Sequence, residues 1–160
     1  MFSDHPDVMV RLDTRDELVI LTKKNYKGYV VIPEDISEHP VFTINSQRFR
    51  DLICLWVLTE RGGIWINTPL SLELSYHSNK EFNGYYTKKG IDTRYMECKK
   101  RTPFISAWRD EYSRMAQFPS VERYLESRSV GNIRYDNMDP LMVACKLILP
   151  DHIKNIELRG

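Results

Sequence analysis

The chain has 160 residues, of which 42% are hydrophobic and 28% charged, a composition typical of one globular domain that excludes a disordered or fibrous protein. Its 23 lysines and arginines nearly balance 22 acidic residues, and the net charge of +1 argues against sequence-independent nucleic-acid binding. No apolar run approaches the ~20 residues that span a bilayer, and the N-terminus lacks signal-peptide features, so we expect a cytoplasmic location.

The cysteines and histidines do not form a metal-binding or disulfide pattern. Cys54, Cys98 and Cys145 lie far apart in the sequence, so we expect reduced thiols packed as small apolar groups. The four histidines are scattered and include no i, i+4 pair, so a zinc site is not expected.

The first predicted element is a strand at residues 17–22, a short apolar run rich in β-branched residues and flanked by charges. Residues 23–33 then predict a short helical turn that leads into an extended piece. Strands buried on both faces, as predicted for residues 17–22, usually belong to α/β sheets.

A helix, a double glycine and a strand follow in sequence. Apolar side chains recur with helical spacing from residue 46 to about residue 61, after a polar residue that can cap the helix. Glycines at positions 62–63 end this helix, because glycine adopts the left-handed conformation without steric cost. Residues 64–66 then form a second buried strand, which completes an αβ unit packed on a sheet.

The second half of the chain predicts strands first and helices later. Residues 70–101 read as strands and loops, in which residues 82–92 form either a hairpin with a charged face or a surface that presents tyrosines and lysines to a ligand. Threonine and proline at 102–103 open a helix, and shorter helices are expected at 120–127 and 139–148. We therefore predict a three-layer α/β domain.

Residues 46–69 carry a resemblance to a known family. A helix containing Arg-Asp-Leu-Ile-Cys is followed by Gly-Gly-Ile-Trp-Ile-Asn, which resembles the region of GT-A fold glycosyltransferases that leads into a metal-binding DxD turn. The likeness is to capsular polysaccharide synthesis proteins and the related mannosyltransferase-like group. Residues 18–33 and 99–108 resemble further family segments in the family order, so the resemblance covers about residues 17–148.

The resemblance implies a GT-A-like (Rossmann-related) fold and the transfer of a sugar from a nucleotide-sugar donor to a glycan hydroxyl. It also implies Mn²⁺ or Mg²⁺ as cofactor, and the net charge of +1 predicts no nucleic-acid partner. The alternative is a catalytically degenerate relative that binds a glycan or a partner protein. A third possibility, a nucleic-acid-binding module, rests only on the basic residues between Lys88 and Arg101.

The resemblance also implies a set of donor-binding residues, in which Asp51 matches the aspartate of the family helix and Asn67 replaces the first aspartate of the metal turn. An amide oxygen can ligate a divalent ion but adds no charge, so metal binding through Asn67 alone would be weak. Cys54 stands in place of the family arginine, and Pro69 in place of a second aspartate. The complete predicted set is Arg48, Asp51, Gly63, Trp65 and Asn67.

Each of these residues also has a purely structural interpretation. Asp51 and Arg48 can be solvated surface charges, Asn67 can belong to an ordinary turn, and Trp65, like Trp56, can be a core residue. For the general base that would act on the acceptor hydroxyl, the sequence offers three unranked candidates, which are Asp92, Asp110 and Glu111.

Residues 1–160 are expected to form a single glycosyltransferase-like domain. Family members usually begin with an additional strand and helix, whereas only sixteen residues precede Glu17 here. Either residues 1–16 supply a reduced version of that strand, or the chain is a minimal or excised domain that works with other parts.

Overall fold

The computed structural model describes residues 8–11, 18–21, 32–43, 46–66 and 80–160. In these ranges six strands form one mixed sheet, in the spatial order β2-β1-β3-β5-β4-β6. The strands are β1 (Val8–Arg11), β2 (Leu18–Leu21), β3 (Gly63–Ile66), β4 (Phe82–Thr87), β5 (Gly90–Cys98) and β6 (Ile156–Arg159). The α-helices are α1 (Glu34–Ser37), α2 (Gln47–Arg61), α3 (Pro103–Ser113), α4 (Val121–Arg128) and α5 (Pro140–Ile148).

Antiparallel pairing dominates the sheet, and the pair formed by β4 and β6 is parallel. The strand predicted at residues 17–22 is confirmed as β2, and β3, β4 and β5 lie where strands were expected. Strand β6 was not predicted, and strand β1 was one of two alternatives given for residues 1–16. β1 lies within residues 1–16 and pairs with both β2 and β3, so this segment does contribute a strand to the sheet. The predicted turn at residues 23–33 falls largely outside the described residues.

Helix α2 forms as the sequence pattern predicts. The Ser46 hydroxyl caps its first turn by accepting a hydrogen bond from the Phe49 amide at 3.2 Å. The helix ends at Gly62, whose φ of 67° and ψ of −167° are strongly disfavoured for residues that carry a Cβ. This glycine lets the chain turn directly from α2 into β3.

Helix α3 lies in the centre of the helical layer. It begins with a proline after Thr102 and packs against both α2 and α5. Phe104, Trp108 and Tyr112 occupy one face of the helix, and all three are fully buried. The Trp108 indole Nε1 donates a hydrogen bond to the Leu141 carbonyl at 3.1 Å, which ties α3 to α5. The predicted apolar face of this helix is therefore confirmed as core.

The two faces of the sheet contribute to different clusters. Trp65 and Met96 belong to the main core together with the helices, whereas Ile64 and Tyr95 form a separate small cluster.

The mixed α/β class is confirmed. The described ranges show one helical layer packed on the sheet, and the third layer of the prediction has no counterpart in them.

The three cysteines are free thiols and all are buried, as predicted. In the described part of the chain, none of the helices combines the length and apolar character that crossing a bilayer requires.

Replacing Gly62 with alanine should destabilise the fold by about 1 to 3 kcal/mol, because a Cβ is disfavoured at this backbone conformation. Urea unfolding of Gly62→Ala beside the wild type measures the loss. The matched control is Gly160→Ala, where a Cβ meets open space and φ lies outside the left-handed region. An equal loss in both variants would contradict the assignment of Gly62 as the required helix end.

Candidate functional site

A cavity of about 730 Å³ opens between the first turns of α2, the start of α5 and the hairpin formed by β4 and β5. Its volume lies within the range typical of small-molecule sites. The lining includes three carboxyl groups and three basic groups, which are Asp51, Asp92, Asp139, Lys88, Lys89 and Arg94. The cavity therefore offers charged groups of both signs to a ligand, although more of its wall is apolar than polar.

Asp51 is the most deeply buried charged group of this cavity, with 6% of its surface exposed. One turn earlier on α2, the Gln47 amide Nε2 donates a hydrogen bond to Asp51 Oδ1 at 2.9 Å. Burial raises the pKa of Asp51 to about 7, the hydrogen bond from Gln47 lowers it in part, and the negative charge of Asp139 raises it further. Near neutral pH this carboxyl can therefore be either a proton donor or an acceptor.

Asp92 has the opposite electrostatic setting in the same cavity. Arg94 holds its carboxylate with a two-pronged contact, in which Nε lies 3.0 Å from Oδ1 and the terminal nitrogen lies 2.7 Å from Oδ2. The hydrogen bond from Arg94 lowers the pKa of Asp92, so this group stays anionic at neutral pH. The third aspartate, Asp139, caps α5 by accepting a hydrogen bond from the Leu141 amide at 3.0 Å.

The other two candidates for the general base lie elsewhere. Glu111 accepts hydrogen bonds from the Tyr124 hydroxyl at 2.7 Å, from Arg128 at 2.6 Å and from Arg114 at 3.3 Å. These contacts tie α3 to α4, so Glu111 has a structural role. Asp110 lines a separate cavity of about 360 Å³ beside Trp56. Of the three candidates, Asp92 is the one that lines the cavity of Asp51.

The predicted donor-binding residues are not gathered in one place within the described ranges. Asp51 lines the cavity, but Arg48 donates from Nε to the Val41 carbonyl at 2.9 Å. Gly63 is buried at the start of β3. Trp65 is 1% exposed within the main core, which agrees with its interpretation as a core residue. Asn67 lies outside the described residues. A donor contact by any of the five predicted residues, Asp51 included, stays a prediction.

The divalent ion expected from the resemblance finds no clustered ligand set in the described ranges, where no three histidine, cysteine or acidic side chains group around one point. The predicted ligand Asn67 lies outside the described residues, so the Mn²⁺ or Mg²⁺ cofactor stays a prediction.

Sequence reasoning missed several residues that build the cavity. Gln47 orients the carboxyl of Asp51, Arg94 keeps Asp92 charged, and Asp139 was recognised only as a helix cap. The i, i+4 spacing of Gln47 and Asp51 is the one local signal that could have shown their contact. Asp139 approaches Asp51 through tertiary packing alone.

The fold and the cavity define a mixed α/β protein with a cavity lined by both acidic and basic groups. Comparison with family models finds a match to the capsular polysaccharide synthesis proteins over residues 7–124, so the chain belongs to that family. This membership indicates a role in polysaccharide biosynthesis. No curated protein and no solved structure matches the chain. The matched region includes Asp51 and the hairpin, whereas Asp139 and the rest of α5 lie beyond it.

Replacing Asp51 with asparagine should make the fold less sensitive to pH. The folded pKa of about 7 lies above the ordinary value of 3.8, so wild-type stability falls as pH rises from about 4 to above 7. Asparagine cannot ionise, so Asp51→Asn should gain about 2 to 4 kcal/mol relative to the wild type at pH ~8 but little at pH ~4.

Urea unfolding at both pH values measures this difference. Asp110→Asn is the control, because its side chain is 59% exposed and should show no comparable change between the two pH values. A stability difference between Asp51→Asn and the wild type that does not depend on pH would contradict the raised pKa.

Glu111→Gln should lower the free energy of unfolding by about 1 to 3 kcal/mol, because a buried group bonded to charged donors loses its charge. Thermal and urea unfolding measure the effect. Glu122→Gln, on the exposed side of α4, is the matched control and should be nearly neutral. Unchanged stability with lost activity would instead indicate that Glu111 acts in catalysis.

Proposed function

We propose that the protein is a glycosyltransferase of GT-A-like fold that transfers a sugar from a nucleotide-sugar donor to a glycan hydroxyl. One observation carries this proposal. The carboxyl of Asp51 is buried in the wall of a cavity large enough for a sugar. Asp51 matches the donor-binding aspartate of the glycosyltransferases that the chain resembles.

Asp51 would bind the donor through hydroxyl groups of its sugar or ribose. The buried carboxyl has lost hydrogen bonds to water, and donor hydroxyls would replace them in a cavity where such bonds are strong. Gln47 holds one oxygen of the carboxyl at 2.9 Å and so fixes its orientation, which leaves the second oxygen for the ligand. Hydroxyl donors also favour the charged form of Asp51 over the protonated form.

Transfer releases the proton of the acceptor hydroxyl. The acceptor oxygen bonds to the anomeric carbon, the bond from that carbon to the nucleoside diphosphate breaks, and the diphosphate leaves with the electron pair. Asp92 is the candidate that would take the acceptor proton, because it is anionic and lines the same cavity.

A divalent ion, Mn²⁺ or Mg²⁺, would supply charge neutralisation for the leaving diphosphate when bound. The residue predicted to contact it is Asn67. The roles of the other residues do not depend on that contact. Asp51 binds the sugar, Gln47 orients the Asp51 carboxyl, and Asp92 takes the proton.

Titration with UDP- and GDP-sugars, with and without Mn²⁺, tests the proposal through thermal stability and donor hydrolysis. A true donor at about 100 times its Kd should stabilise the fold by ~2.7 kcal/mol and should be turned over. Asp51→Asn should weaken donor binding by at least about tenfold, whereas Asp110→Asn should bind as the wild type does.

The outcomes separate the two functions that the sequence suggests. Saturable stabilisation with turnover supports the transferase. Stabilisation by glycans without any response to nucleotide sugars would favour the degenerate binding module. Indifference to every nucleotide sugar would overturn the proposal.

A further inference from the structure

A second cavity, of about 200 Å³, adjoins the first. The two cavities share four wall residues, which are Lys88, Lys89, Ile91 and Met142. The smaller one is closed on its other sides by Tyr86 from the hairpin and by residues in and beside α5, including Met138, Lys146 and Leu149. A ligand seated in it would lie directly beside a ligand in the larger cavity.

The hairpin turn is fixed against α5, so this cavity is a built feature of the fold. Gly90 has a φ of 125°, and a Cβ placed on it would lie 2.5 Å from the Met142 sulfur. A side chain at this position would displace the flexible end of Met142 and would be strained at this φ, so glycine suits the turn. The neighbouring Lys88 and Lys89 are thereby held at the entrance that both cavities share.

The charge of the smaller cavity is entirely positive in the part of the chain that the structure describes. Lys88, Lys89 and Lys146 line it, and no carboxylate does. Among the described residues none of these lysines forms an ion pair, and Lys146 lies over the ring of Tyr135 at 5.9 Å. Three unneutralised cations around one concave space favour an anionic ligand.

The remaining surface of the cavity is apolar. Tyr86 is 51% exposed and Met138 is 40% exposed, so both side chains are accessible to a ligand. Aromatic and methionine side chains form adaptable apolar surfaces on which the C–H face of a sugar ring can pack. At ~30 Å³ per water, the volume equals six or seven waters, enough for one sugar ring.

We infer that the smaller cavity binds an acidic sugar residue of the glycan acceptor. Lys88, Lys89 and Lys146 hold its carboxylate or phosphate, and Tyr86 and Met138 contact its ring. The inference rests on the proposed function for the position of the acceptor beside the donor, and it adds that this acceptor is a negatively charged glycan.

A nucleic-acid strand is the rival ligand for the same lysines. The small volume admits a single ring, and the chain has a net charge of only +1. Sequence-independent binding of nucleic acid depends on many phosphate contacts along a strand. The observations therefore favour one acidic sugar.

Isothermal titration calorimetry with defined saccharides tests the inference. The probes are a tetrasaccharide containing glucuronate, a phosphorylated disaccharide and a neutral tetrasaccharide, with a short single-stranded oligonucleotide as the rival. An acidic saccharide should bind at least about tenfold more tightly than the neutral one, and added salt should weaken its binding. The tighter of the two acidic probes identifies the anion as carboxylate or phosphate.

Lys146→Gln provides the sharpest variant, because Lys146 lines the smaller cavity and not the larger one. It should weaken binding of the acidic saccharide by about tenfold. Lys100→Gln is the matched control, an exposed lysine in the turn after β5, and should bind as the wild type does. Thermal unfolding of both variants verifies that they are folded.

Equal binding of acidic and neutral saccharides, or equal losses in Lys146→Gln and Lys100→Gln, would overturn the inference. Tighter binding of the oligonucleotide that is lost in Lys146→Gln would overturn it in favour of nucleic acid. The nucleotide-sugar titrations of the same preparations report on the proposed function separately. Donor binding without acidic-saccharide binding rejects only the inference, and the reverse result rejects only the donor site.

Discussion

Helix α3 is packed between α2 and α5, and its aromatic face is completely buried. The Trp108 indole bonds to the first turn of α5, and the Tyr112 hydroxyl donates to the Arg48 carbonyl in the first turn of α2 at 3.4 Å. Both neighbouring helices are therefore fixed at their N-terminal ends by the same face of α3. The cavity lies where those two ends meet the hairpin, so its shape depends on the burial of this one helix face.

The same packing decides the electrostatics of the cavity. Asp51 is carried into a poorly solvated position, where the cost of burying a charge outweighs the single hydrogen bond from Gln47. Asp92 sits on the hairpin beside Arg94 and keeps its charge. Glu111 differs from both, because its carboxylate accepts from Tyr124 and Arg128 of a second helix and so ties α3 to α4.

Local sequence signals predicted much of the fold. The capping serine and the terminal glycine of α2, the proline starts of α3 and α5, and the hairpin are all set by short-range backbone chemistry. Strand β6 was missed because its pairing with β4 joins segments that are distant in the sequence, and strand β1 was only one of two alternatives for residues 1–16. The burial of Asp51 was also invisible, since a charge near a helix start is more often solvated.

The sequence by itself determined the helix boundaries, the buried faces and the likeness to a polysaccharide synthesis family, because these depend on residue type and spacing along the chain. Tertiary structure alone decided that Asp51, Asp92 and Asp139 share one cavity, and that Lys146 joins the hairpin lysines beside it. Those contacts join segments from α2, the hairpin and α5. Their physical cause is the burial of α3 between two helices, which no local pattern encodes.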